Sequence, residues 1–268
     1  PYTLSLHDAL PISCYKGTSE VPGCPMFEFP KTMDSSAECN LCGNCVKNCP
    51  NDSIRISPRT PTKELWDIKK PKIEVAFLAI VIMGIVFVQN ITMLNIWGQL
   101  LHSLENILGT TNYYITFTVT FFIAMLIPVV LLLLTGLIAK KFNKASIMEN
   151  FARFGYAVIP LDLAGHIAHN LFHLLAEGKS VIYTAMELFK VSSHGASTAL
   201  LSSPTIQVLQ YIIIVLGTIG SIYTAYRIAK SSQNKETLLG TSIVYTILMV
   251  LLAVANIVLF SIPMAMRM

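Results

Sequence analysis

Four of the six cysteines fall in one stretch, Cys39-Asn40-Leu41-Cys42-Gly43-Asn44-Cys45-Val46-Lys47-Asn48-Cys49-Pro50. The spacing C-x2-C-x2-C-x3-C-P lets three thiolates in a tight turn reach three irons of one cubane, while the fourth points elsewhere. It predicts a [4Fe-4S] cluster on Cys39, Cys42 and Cys45. Zinc would suit two C-x2-C pairs set well apart. A disulfide framework would suit a small secreted domain, which this chain of 268 residues is not. Thiolates that hold iron must stay unoxidised, so the cysteines argue for a reducing face.

The two remaining cysteines extend the pattern. In two-cluster ferredoxins the C-P cysteine of each motif ligates the other motif's cluster. Cys24 precedes Pro25, which makes it the candidate fourth ligand of the cluster on Cys39, Cys42 and Cys45. Cys49 would then serve a second cluster, with Cys14 and with cysteines upstream of it. The simpler alternative is one cluster on Cys39, Cys42, Cys45 and Cys49, with Cys14 and Cys24 free.

A second constellation reads Asp162, His166, His169 and His173, spaced by four, three and four, so the four side chains share one helical face. They sit in an apolar segment, where ionisable residues default to a functional reading and an interhelical hydrogen-bond network is the structural alternative. The stripe suits proton delivery at a quinone site. It also offers a ligand to haem b, whose second axial ligand would have to come from His102, His194, Met93 or Met186, because one helix cannot supply both faces of the ring. A metal ion chelated by His169 and His173 ranks behind both. Pro160 and Gly165 are expected to bend or thin the helix here.

The elements that position these groups follow from composition. The chain is 53% hydrophobic and 13% charged, far from the roughly 25% charged residues of soluble domains. Five apolar segments near or above the span length are expected at about 75–96, 113–139, 154–175, 206–229 and 238–264. Lys69, Lys70 and Lys72 precede the first, Lys140, Lys141 and Lys144 follow the second, and Arg227, Lys230 and Lys235 join the last two. This bias places the cysteine-bearing part and the basic loops in the cytoplasm. It also explains the net charge of +4 without nucleic acid. Leu100, Leu101, Leu104, Ile107 and Leu108, and less regularly Ile182, Met186 and Leu188, predict short interfacial helices in the outer loops. Asn90-Ile91-Thr92 matches a glycosylation acceptor, yet it lies within the first span, where the match carries no weight.

Residues 14–72 are the polar part, broken into loops by Gly17, Pro22, Gly23, Pro25 and Pro30. Such a segment would rely on an inorganic cluster for its core. The alternation in Ser53-Ile54-Arg55-Ile56-Ser57 predicts the short strand that closes a ferredoxin half. Residues 1–13 resemble a translated sequencing-adapter read-through, with a disordered tail as the alternative. The expected fold is an α-helical integral membrane protein of about five transmembrane helices (73–268) with a small N-terminal ferredoxin-like iron–sulfur domain.

Cys24-Pro25 followed by Cys39 to Pro50, beside membrane helices, resembles the membrane-bound ferredoxin-type proteins of the NapH, NosR and CcoG kind, over about residues 14–57. The resemblance implies cytoplasmic [4Fe-4S] clusters that pass electrons between the quinone pool and a partner, or reduce a metal during oxidase assembly. The expected function is therefore electron transfer in the cytoplasmic (inner) membrane, between a cytoplasmic redox partner protein and a quinone or haem site among the helices. The alternatives are a transporter or metal-handling assembly factor with a redox-sensing cluster, and a mere membrane anchor for the iron–sulfur domain.

Overall fold

The computed structural model describes residues 14–33, 35–190, 197–232 and 235–262. The chain divides into two compact units, with the boundary between Lys70 and Pro71.

The first unit is built from loops. Among the described residues it contains a helical stretch over 14–16, two single-turn helices, α1 (Asn44–Lys47) and α2 (Lys63–Trp66), and one bridge between Gly17 and Pro22. Gly43 starts α1 at φ 76°. This left-handed conformation suits glycine and turns the chain sharply between Cys42 and Cys45. Polar tethers replace an apolar core. The buried Asn48 side chain donates to Pro22 O (2.9 Å) and accepts from Thr18 Oγ1 (3.0 Å), while Asn44 Nδ2 donates to Gly23 O (3.3 Å). Farther on, the Glu64 carboxylate accepts from the Ser36 backbone N–H, the Ser36 hydroxyl and Arg59. The strand expected over 53–57 is absent. Those residues pair with no other segment among the described residues, and alternation alone forms no ladder.

The second unit is helical: α3 (Ile73–Ile91), α4 (Trp97–Leu108), α5 (Tyr113–Asn143), α6 (Ile147–Phe154), a 3-10 turn (Gly155–Val158), α7 (Ile159–Leu188), α8 (Ser203–Ser232) and α9 (Lys235–Ser261). Four of these, α3, α5, α8 and α9, are long and apolar enough to cross a membrane. The protein is a helical membrane protein. Asn112 caps α5 by accepting from the Tyr114 N–H, and Ser146 caps α6 by accepting from Glu149 N–H. Ile80, Met83, Leu132, Leu161, Ile214 and Leu252 are fully buried, whereas Leu126, Leu134, Leu216 and Val254 face outward, as a lipid-facing surface requires.

Several details differ from the expectation. The first span ends at Ile91 rather than Ile96, and the chain turns before α4. The segment expected as one span over 154–175 is divided among α6, the 3-10 turn and α7. Pro160 falls in the first turn of α7, where its missing N–H breaks no helical bond, so it starts the helix instead of bending it. Ile182, Met186 and Leu188 do not form a separate interfacial helix. They continue α7, because Glu177 and Lys179 end its apolar character without ending its backbone hydrogen bonding. The α7 helix, 30 residues long, is not among the four apolar ones, since Asp162 and the three histidines interrupt its hydropathy.

Helix α7 packs along α8 and also against α3. Gly217 permits the first contact: a Cβ there would lie 2.3 Å from Ala164 Cβ and 2.9 Å from Pro160 O. Such close backbone approach is how membrane helices gain contact without a hydrophobic driving force between them. Two side chains complete the join. Ser221 Oγ accepts from Leu161 N–H (3.0 Å), and Gln210 Nε2 donates to Ala168 O (3.0 Å).

Candidate functional site

The cysteines form two overlapping groups. Cys14 is buried, and its backbone O accepts from Cys24 N–H at 2.7 Å. Burial pushes the Cys14 thiol up, and Cys45, Cys49 and Cys24, all within electrostatic reach, add to the rise. Burial likewise pushes Cys45 up. The Val46 backbone N–H opposes this, and Cys39 and Cys42 add to it. Cys49 behaves in the opposite way. Its sulfur lies 3.3 Å from Ser53 Oγ, and that hydrogen bond, with backbone N–H groups of Ser53 and Asn51, lowers the thiol from 9.0 to about 7. Cys14 and Cys49 line one cavity of about 420 Å³ together with Lys31, Asn48 and Arg55.

The histidine stripe occupies one face of α7, and each member has a distinct neighbour. Asp162 Oδ1 lies 4.0 Å from His166 Nε2, beyond hydrogen-bond reach. His169 Nδ1 is 2.9 Å from Asn90 Oδ1 on α3. An oxygen acceptor there places the ring proton on Nδ1 and leaves Nε2 with a lone pair. His173 stands edge-on to His169, ring centroids 5.1 Å apart, and its Nδ1 is 3.2 Å from Glu177 Oε2. Side-chain exposure is 10% for Asp162, 29% for His166, 31% for His173 and 40% for Glu177, but His169, between the other two histidines, is itself buried at 9%. Glu177 is the most exposed end of the stripe.

The comparisons with known proteins give no match. No family model, curated protein or solved structure is similar to the chain.

What the two sites can hold rests on their own chemistry. Among the described residues, no three Cys, His, Asp or Glu side chains converge into a group that could hold a metal ion. The six cysteines are grouped without being closed into a cage. Two of the sulfurs nevertheless receive backbone donors. Leu41 N–H approaches Cys39 Sγ (3.4 Å) and Glu28 N–H approaches Cys24 Sγ (3.4 Å), the kind of donor that tunes a metal-bound thiolate. Lys31 and Arg55 bring positive charge to the cavity of Cys14 and Cys49.

The stripe's haem and metal options are narrower than its sequence implied. Met186 lies on α7 itself, so it cannot take the opposite face of a ring ligated by an α7 histidine. His102 sits on α4, 75% exposed, with its Nδ1 3.5 Å from Glu105. His194 lies outside the described residues. A chelate on His169 and His173 would use ring nitrogens of which one each already faces Asn90 and Glu177.

Sequence reasoning missed three participants. Glu177 continues the i, i+4 series by one turn and could have been read from spacing. Asn90 and Asn256 are amides within otherwise apolar spans, a signal in itself. Their meeting with α7 is visible only in three dimensions.

Proposed function

We propose that this is a membrane-bound electron-transfer protein of the cytoplasmic membrane, working as a subunit of a quinone-linked oxidoreductase. In this reading α7 is a fifth span, and the first unit is a ferredoxin-like domain on the cytoplasmic side that meets a soluble redox partner. Cys39, Cys42 and Cys45 hold a [4Fe-4S] cluster with Cys24, while Cys49 and Cys14 contribute to a second. The observation that carries the reading is the C-x2-C-x2-C-x3-C-P turn, with left-handed Gly43 in it and N–H donors aimed at its sulfurs.

When bound, such a cluster supplies one-electron transfer. The chain's own residues do the rest. Lys31 and Arg55 offset the negative charge that thiolates and cluster bring to the Cys14 and Cys49 cavity. Asn90 holds the His169 ring with the Nε2 lone pair free to accept from a quinol hydroxyl, and His166 stands one turn away. Quinone is favoured over haem b because Met186 shares α7 with the histidines and His102 is exposed on α4, which leaves Met93 as the remaining candidate for a second axial ligand among the described residues. Asp162 and His169 are both buried among the packed helices.

The test is anaerobic purification from membranes, followed by a dithionite-reduced minus oxidised spectrum and re-oxidation by a soluble quinone. The reading expects a broad iron–sulfur bleach. His169→Ala or His166→Ala should block re-oxidation while leaving the iron content unchanged. Undiminished turnover in both variants sinks the quinone assignment, and sharp haem bands would replace it with haem.

A further inference from the structure

Three helices bring unsatisfied polar atoms to the stretch of α7 between Asp162 and His169. Asn90 Nδ2 on α3, Asp162 Oδ1 on α7 and Asn256 Oδ1 on α9 are buried without a hydrogen-bond partner among the described residues. Their residues are 3%, 7% and 0% exposed. Gly165, between Asp162 and His169, is where the helices meet. A Cβ there would lie 3.1 Å from Val86 Cγ1 on α3 and 3.5 Å from Asn256 Oδ1 on α9. Asn256 therefore reaches the α7 backbone within one turn of Asp162. Its own Nδ2 is turned away, toward Leu252 O (3.0 Å) and Met83 Sδ (3.8 Å).

Inside a bilayer each orphaned polar atom is costly, because no lipid supplies the missing bond. The set is mixed, one donor with two acceptors. A cation would meet the Asn90 N–H and an anion would meet two oxygens, whereas water can accept from one and donate to the others. The Asp162 to His166 separation of 4.0 Å also fits a bridging water better than a direct contact.

We propose that α3, α7 and α9 enclose ordered water between Asn90, Asp162 and Asn256, and that this water joins the α7 stripe into a proton path opening at Glu177. The path would run Asp162, His166, His169, His173 and Glu177, fifteen residues of helix or about 22 Å at 1.5 Å per residue. Helix α5 ends on Lys140 and Lys141, and α7 starts from that same end. The Glu177 end therefore opens on the opposite membrane surface. As a route that feeds quinone chemistry the path rests on the reading above; as a hydrated channel it does not.

The test uses the full chain in lipid bilayers, labelled with 15N at histidine, asparagine and leucine, and water-edited solid-state NMR. Exposed His102 serves as the wet reference and the backbone of fully buried Leu132 as the dry one. Magnetisation from water is expected to reach the His169 ring nitrogens and Asn90 Nδ2 at a rate near that of His102. Asn256→Leu should cut the transfer to His169 several-fold and leave His102 unchanged. If that variant fails to fold, Gly165→Ala, which fills the same space, should do likewise. Build-up as slow as that of Leu132 in the unsubstituted chain overturns the water. For the path, deuterium exchange at the His169 ring N–H should slow roughly tenfold in His173→Leu. Fast exchange there would leave a closed wet pocket and overturn the path. Neither readout involves iron or quinone, so a hydrated stripe in a protein inert to quinone would refute the proposed function alone.

Discussion

The two units of this protein are held together by different means. From Pro71 onward, cohesion comes from apolar side chains and from glycines that let helices touch, as at Gly217 against Ala164 and Gly155 against Ala76. Before Lys70 there is almost no apolar interior: Cys14 is the one hydrophobic residue of that unit buried among the described residues. A few polar tethers, centred on Asn48 and Glu64, hold loops that carry six thiols. In the function proposed above, an inorganic cluster would supply the centre that apolar side chains do not.

Iron removal should break this contrast most visibly. In chelator-treated protein, or in Cys42→Ser, protease cleavage within 14–70 is expected to rise about tenfold or more, because a loop unit without its cluster opens readily. Helical circular dichroism should hardly change. Equal protection with and without iron would mean that the tethers suffice. The complementary experiment loads the other unit. Gly217→Val should destabilise the helices by about 2–3 kcal/mol through overpacking, lowering the thermal midpoint while cysteine-bound iron stays at the original level. An unchanged midpoint would show that α7 and α8 can separate freely.

A smaller effect is expected at Asn48. Asn48→Leu removes the bonds to Pro22 and Thr18 and should cost about 1–2 kcal/mol, read as faster amide exchange over 18–24 with none in the helices. The smallest effect is a titration. In iron-free protein the Cys49 thiolate is the favoured form, so its contribution is complete above the ordinary thiol value of 9.0 and is lost as pH falls through about 7. Alkylation of Cys49 should therefore be half-maximal near pH 7, and Ser53→Ala should move that midpoint upward. The same midpoint in both proteins would remove Ser53 from the account.

Legibility followed the range of the interaction. The Cys39 to Cys49 spacing is plain in the sequence because it is local, yet among the described residues no three of its thiols converge into a group that could hold a metal ion. The strand over 53–57 was not readable, because alternation describes one strand and a ladder needs two. The long apolar helices were readable from hydropathy, while their ends were not. Thr92 stops α3 early, and Glu177 and Lys179 fail to stop α7.

The histidine stripe divides along the same line. That Asp162, His166, His169 and His173 share a face was determined by the sequence alone, since 3.6 residues per turn is a property of the backbone. That His169 meets Asn90, 79 positions earlier, and that Asn256 reaches Gly165, was decided by which helices lie together. The same is true of Cys14 beside Cys49. Spacing along a helix is set by covalent geometry, but a partner across a helix interface is chosen by packing. Small residues such as Gly165 and Gly217 decide that choice by letting one helix in particular come close.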